Sequence, residues 1–374
     1  MSAQFTIKQI FQDHWSSFLS STPSIRPIVL DEVQKMLNCG DLKKGYALYY
    51  CHHCNHFHYV SFRCKSRFCN TCGTAYQADR ADSISAKLIN CRHRHIVFTI
   101  PKELREFFRK DRTLLDLLFK AAAQVITDWM YSLNHKESFT PGIICSLHTF
   151  GRDLKWNPHI HMIVSEGACG NATPWKAFSF FPYPMLRKRW QTTLLYLLEE
   201  VFGKDRFKPL KNAMYVSNKD GFYVHAPKSN FNSPKAVANY ITRYIGRPAM
   251  AQSRITNYDG EMVSFWYNRH EDEQRQDETI PASEFIARLI IHIHEKYFNT
   301  LRYYGLYAKK HKFADKLVFL LSRHVVKSRL FCRRWAFRME LSFGYDPTKC
   351  SCGNYMEFLG VFRPGDIAFL SKGS

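Results

Sequence analysis

The chain has 374 residues, 45% hydrophobic and 15% aromatic, which excludes global disorder and leaves enough apolar surface for two or three packed domains. A formal net charge of +21 calls for a polyanionic partner, nucleic acid first and an anionic membrane second. No apolar run approaches the roughly 18 residues of a membrane span, and MSAQFTIKQIF lacks a signal peptide's apolar core, so a cytoplasmic, nucleoid-associated protein is expected.

In chain order, helical apolar spacing predicts helices over 7–19 and 27–37, with Ile7, Ile10, Phe11, Trp15, Phe18 and Leu19 facing a core. The composition then changes: six of the 12 cysteines fall between Cys39 and Cys72. In a reducing compartment they read as metal ligands or buried thiols rather than disulfides. CHHC at Cys51–Cys54 and CNTC at Cys69–Cys72 are two Cys-x-x-Cys knuckles with the spacing of a zinc site. Cys51, Cys54, Cys69 and Cys72 are the expected tetrahedral set, and Cys39 and Cys64, with His52, His53, His56 or His58, supply a second site or pack around the first. Lys43, Lys44, Arg63, Lys65 and Arg67 among them suit DNA phosphates or plain solvation.

A helix is expected over 76–89, a strand over 95–100 ended by Pro101, and helix over 102–133 broken near 109–112. Two strands follow, 143–150 and 157–165, joined by a polar loop of hairpin length. The second reads NPHIHMIVS. Alternation puts His159 and His161 on one face and Ile160, Met162 and Val164 on the other. If the strands pair antiparallel, His148 lies opposite His159 or His161, on the same face in either register. Three imidazoles then meet in a candidate metal site. His93 and His95 form a weaker candidate pair at a strand entry.

Further on, a basic helix is expected over 184–202 and a strand over 221–226. In SPKAVANYITRYIGRP, Ser233 reads as an N-cap, Pro234 as the first helical residue, and Gly246 with Pro248 as the exit. Tyr240, Arg243, Tyr244 and Arg247 share one helix face. Two phenols a turn apart, beside guanidiniums, suit transesterification at a phosphodiester near a bound metal. The remainder reads as a hairpin turning at Asp259–Gly260, a polar loop over 269–278, helices over 285–297 and 301–308, and a basic stretch over 323–338 with interleaved aromatics. Tyr303, Tyr304 and Tyr307 compete as nucleophiles but rank below the earlier pair.

The zinc knuckles, then HIVFTIPKEL, LHTFG, NPHIHMIVSEG, YITRYIGRPAMAQSRI and RYYGLYA, in this order, resemble the rolling-circle insertion-sequence transposases of the HUH endonuclease superfamily. The resemblance spans residues 39–308. It implies an enzyme that cuts and rejoins single-stranded DNA through a 5′-phosphotyrosine intermediate. By motif, His159 and His161 are its metal-binding histidines and Tyr240 and Tyr244 its tyrosines. Spacing makes His148 the third ligand, and Arg243, Arg247 and Arg254 are assigned to DNA. The resemblance favours Mg2+ or Mn2+ at the histidines beside structural Zn2+ at the cysteines. Three departures stand out: Asn157 precedes Pro-His-x-His where a histidine is common, IGRP follows Tyr244 where Thr-His-Arg is familiar, and Cys350-Ser-Cys-Gly is one residue shorter than Cys-x-x-Cys-Gly.

The expected architecture is α+β: N-terminal helices and a zinc-binding module over 1–92, an antiparallel-sheet nuclease domain with flanking helices over 93–300, and a basic helical region over 301–374. Rival readings are a plasmid-type replication initiator or relaxase with the same chemistry, a three-histidine zinc hydrolase, and a non-catalytic DNA-binding zinc protein.

Overall fold

The computed structural model describes residues 5–73, 84, 88–225, 237, 249–269, 272–310, 313, 339–340 and 344–365. The chain forms two compact units. One comprises 1–82, 246–294 and 327–374; the other comprises 83–245 and 295–326. Each unit draws on separated stretches of chain, and the strand Glu357–Phe362 with Cys350 and Cys352 falls in the same unit as the N-terminal helices. Among the described residues the strands are β1 (Tyr46–Cys51), β2 (His56–Ser61), β3 (His93–Thr99), β4 (Thr140–Phe150), β5 (Trp156–Cys169), β6 (Lys176–Ala177), β7 (Val224–His225), β8 (Ile255–Tyr258), β9 (Met262–Asn268), β10 (Arg275–Pro281), β11 (Leu301–Gly305) and β12 (Glu357–Phe362). The α+β class is as expected.

The first unit opens with the helix Ile7–Ser21, capped where Thr6 Oγ1 accepts from the Gln9 amide at 3.0 Å. It buries Ile7, Ile10, Phe11, Trp15 and Phe18, side chains that contribute roughly 1.5–3 kcal/mol each when fully enclosed. The helix Pro27–Leu37 follows, with proline in the first turn where its missing N–H costs nothing. Two antiparallel sheets complete the unit, ordered β12–β1–β2 and β10–β9–β8. The turn between β8 and β9 falls at Asp259–Gly260 as expected. Gly260 takes φ +104°, open to glycine, and Asp259 Oδ1 accepts from the amides of Glu261 and Met262 at 2.9 and 2.7 Å.

The end of the polar stretch expected as a loop over 269–278, from Arg275 on, is the start of β10, an edge strand paired to β9 from Arg275↔Asn268 to Pro281↔Met262. Its charged residues are what an exposed edge carries, which is why it reads as loop from composition. The helix expected over 285–297 is the shorter Ala282–Ile290.

The second unit is built on the sheet β11–β4–β5–β3–β7, with β6 also paired to β5. One face is largely apolar. Ile143, Cys145 and Leu147 of β4, Ile160, Met162 and Val164 of β5, and Ile96 and Phe98 of β3 are buried in one cluster with residues of the helices Leu115–Leu133 and Tyr183–Phe202. The helix expected over 102–133 is broken as foreseen, into Lys102–Lys110 and Leu115–Leu133 around a 3-10 turn at Arg112–Leu114. Lys204–Ser217 is helical despite its internal Pro209. Residues 301–305, expected as helix, form β11 on β4, consistent with the β preference of Tyr303 and Tyr304.

Candidate metal centres and the histidine face

β4 and β5 pair with His148 directly opposite His159, and Ser146 opposite His161. Residues facing each other across an antiparallel pair share a face, so all three imidazoles lie on the side away from the helical core. Their ligand nitrogens lie within 4.8 Å of one another. β3 extends the same face, with Val97 opposite both His161 and, on its other side, His225 of β7. His95 and His93 are therefore on this face too.

The donor chemistry fits a divalent ion. His159 Nδ1–H donates to the Asn157 carbonyl at 2.6 Å, which puts the ring's lone pair on Nε2. His161 Nδ1 lies 2.9 Å from His95 Nε2, and the two rings stack at 5.2 Å with 6° between their planes. A proton on Nδ1 of His161, shared with His95, likewise leaves Nε2 as the donor atom. The two Nε2 atoms are 3.0 Å apart, the spacing of two ligands at right angles with metal–nitrogen bonds of about 2.1 Å. Burial, with the neighbouring His148, holds His161 well below the usual histidine range. Burial, then His225 and His159, presses His95 down to about 3. His161 and His95 are thus neutral, the form in which an imidazole can bind metal.

His95 is adjacent to this triad rather than in it. His93 is fully buried: its Nδ1–H donates to the Cys91 carbonyl at 2.9 Å and its Nε2 accepts from the Tyr307 hydroxyl, whose oxygen accepts from the Ile89 amide. Burial raises Tyr307 well above the usual phenol range and Tyr304 to about 12, so both keep their protons. Tyr304 faces the helical core, whereas Tyr303, opposite Ile144, lies on the histidine face. Tyr240, Tyr244, Arg243 and Arg247 lie outside the described residues, as do most of 76–89 and the basic stretch 323–338. Arg254, assigned to DNA, is in the first unit, where its Nε donates to the Trp266 carbonyl at 2.8 Å.

The cysteines form two sets of four. Cys39, Cys64, Cys69 and Cys72 are one; Cys51, Cys54, Cys350 and Cys352 are the other. The expected quartet of Cys51, Cys54, Cys69 and Cys72 is therefore divided. β12 pairs with β1 and carries the chain's end alongside the hairpin, so the knuckle at Cys51 is completed by Cys350 and Cys352. The sulfur separations are 3.5 Å for Cys39–Cys72 and Cys64–Cys72, 3.4 Å for Cys54–Cys350 and 3.6 Å for Cys51–Cys352. A tetrahedron with zinc–sulfur bonds of about 2.3 Å has edges of about 3.8 Å, whereas a disulfide needs about 2.05 Å. Both sets suit structural zinc. Cys350-Ser-Cys-Gly had the composition of a ligand pair but not the familiar spacing.

A family model described as "Transposase zinc-binding domain", of the IS91 type, matches residues 10–100, and one described as "Putative transposase" matches residues 142–314. The transposase for insertion sequence element IS801 of Pseudomonas savastanoi pv. phaseolicola is 31% identical over 310 residues, covering 79% of this chain and 74% of the relative. This chain belongs to the IS91/IS801 family of rolling-circle transposases. The transposase is also 25% identical to the "Putative transposase y4qJ" of Sinorhizobium fredii (strain NBRC 101917 / NGR234) over 279 residues, 70% of each chain. No solved structure matches it. Zinc in the N-terminal unit and a DNA-processing function follow from this membership, and among the described residues no helix is long and apolar enough to cross a membrane.

Proposed function

We propose that this transposase cuts and rejoins single-stranded DNA through a 5′-phosphotyrosine intermediate, with Tyr240 or Tyr244 as the nucleophile. The observation that carries the reading is the convergence of His148, His159 and His161 on one sheet face in a chain of this family. Val237, three residues before Tyr240, belongs to the same buried cluster as Ile144 and Ile163 of that face, which favours tyrosines presented there. His148, His159 and His161 would hold Mg2+ or Mn2+, which when bound draws charge from the non-bridging oxygens of a phosphodiester.

The phenolic oxygen attacks phosphorus, the bond from phosphorus to the 3′ oxygen breaks, and that oxygen leaves as a free 3′-OH on taking a proton. Arg243 and Arg247 neutralise charge developing on the phosphate. The second tyrosine repeats the attack on the other strand end or resolves the first linkage. Both steps exchange one phosphate ester for another, so no external energy source is needed.

The test is a denaturation-resistant protein–DNA adduct formed from single-stranded DNA and Mn2+. Tyr240→Phe with Tyr244→Phe should abolish it, while Tyr303→Phe should leave it unchanged. An adduct that survives the double substitution refutes the tyrosine assignment. Excision or transfer of a flanked element in cells separates this reading from a replication initiator with the same chemistry.

A further inference from the structure

The sheet β12–β1–β2 has two unlike faces. Alternation puts Tyr49 and Cys51 on one, buried in a cluster with Cys350 and Met356. The other carries Tyr46 and Tyr50 of β1, Phe57 and Tyr59 of β2, and Phe362 of β12. Tyr46 packs against Tyr59 and Phe362 with ring centroids 5.2 Å apart in each case, and Tyr50 against Phe57 at 4.8 Å. Phe57 is 47% and Tyr59 49% exposed. Isolated exposed aromatics are ordinary; a contiguous array on one sheet face marks a binding surface.

Charge defines the occupant. In this register Tyr46 at the start of β1 lies beside Ser61 at the end of β2 and Phe362 at the end of β12. Lys43 and Lys44 lie just before Gly45 and β1, and Arg363 follows β12, so the register brings three exposed cations to the same end of the array. Of the acidic residues on these elements, Asp41 accepts from the Lys43 amide at 2.9 Å, and Glu357 is paired with His52. An aromatic face with cations at one end suits unpaired nucleobases on a phosphate backbone, because a duplex keeps its base faces stacked inside.

We infer that this face is a stacking platform for single-stranded DNA. It has two stations on β1, one around Tyr46, Tyr59 and Phe362 and the other around Tyr50 and Phe57, roughly 13 Å apart along the strand. Phosphates lie toward Lys43, Lys44 and Arg363. The inference takes DNA as partner from the proposed function but does not use its tyrosine chemistry.

The experiment measures binding of a labelled oligothymidylate to the zinc-loaded full chain by fluorescence anisotropy, alongside an abasic oligonucleotide of equal length. Phe57→Ala and Tyr59→Ala should each lower oligothymidylate affinity about tenfold and leave abasic binding unchanged, while Tyr59→Phe should bind as wild type. Unchanged zinc content confirms an intact sheet. Equal losses on both oligonucleotides, or no loss on either, overturn the platform. So does self-association abolished by Phe57→Ala with DNA affinity unaltered, which would make the face a contact between copies of this chain. The Tyr240→Phe, Tyr244→Phe double variant should retain wild-type oligothymidylate affinity, so failure of the cleavage chemistry and failure of the platform are read separately.

Discussion

The cysteine module and the histidine-bearing sheet both draw their ligands from more than one strand or turn, yet the sequence reads them differently. In the sheet, alternation along β5 and the short connection to β4 suffice to bring His148, His159 and His161 to one face, since either register gives the same answer. In the module, each Cys-x-x-Cys is legible as a ligand pair, but which pairs share an ion depends on a strand that arrives about 300 residues later. Periodicity is a local property. Ligand partnership is a tertiary one.

The largest effect should come from breaking the cysteine partnership. Cys350→Ser or Cys352→Ser is expected to lower the zinc content of the purified chain from two ions to one and to free β12 from the hairpin, whereas Cys69→Ser should remove the other ion. Metal analysis by atomic emission, with trypsin sensitivity of the C-terminal segment, checks this. If the neighbouring knuckles shared an ion, Cys350→Ser would leave the zinc content unchanged. Next in size is a buried ion pair within the sheet unit. Arg94 donates to Glu166 at 2.7 Å and also reaches the Tyr183 hydroxyl and the Ser179 carbonyl, with both charges almost fully enclosed. Removing one partner strands the other charge, so Glu166→Ala should cost about 3–5 kcal/mol in urea unfolding.

The sequence made the helical core, the β4–β5 hairpin, the Asp259–Gly260 turn and the α+β class legible, because each rests on spacing within about twenty residues or on glycine's tolerance of positive φ. It misjudged segments where tertiary partners override local preference. The tyrosines of β11 were read at helical spacing, but pairing to β4 claims their backbone. The charges of β10 suggested a loop, although an edge strand tolerates them. The contact of His95 with His161 was hidden for a related reason. Its histidine pair sits on a different strand, and nothing in HRHIV indicates the register with β5.

A smaller effect is expected from His93. Burial depresses its pKa from 6.5 to about 4, so above pH 6.5 the imidazole is neutral in both folded and unfolded chains and costs nothing. As the pH falls from 6.5 towards 4, the unfolded chain takes up a proton that the folded chain refuses. About 3 kcal/mol of stability is lost across that window. His93→Gln should flatten the pH dependence of unfolding there relative to wild type. An unaltered slope would mean that His93 is protonated in the folded chain.

The finest distinction lies between ligand and support on the histidine face. His95 touches His161 but is outside the triad, so its contribution is to hold the Nδ1 proton of His161 and with it the ring orientation that presents Nε2. Without that acceptor the imidazole is free to turn or to change tautomer. His95→Ala should weaken Mn2+ binding about 10–100-fold, read from the free-ion signal in electron paramagnetic resonance with both cysteine sites loaded with zinc. His159→Ala should abolish that site. His95→Gln offers an amide oxygen as acceptor and should recover part of the affinity, a rescue that simple cavity filling by His95→Leu should not give. Equal Mn2+ affinity in wild type and His95→Ala would make the stacked pair mere packing. A loss as complete as that of His159→Ala would instead make His95 a ligand, and the sheet, like the cysteine module, would then hide a metal partner from its local pattern.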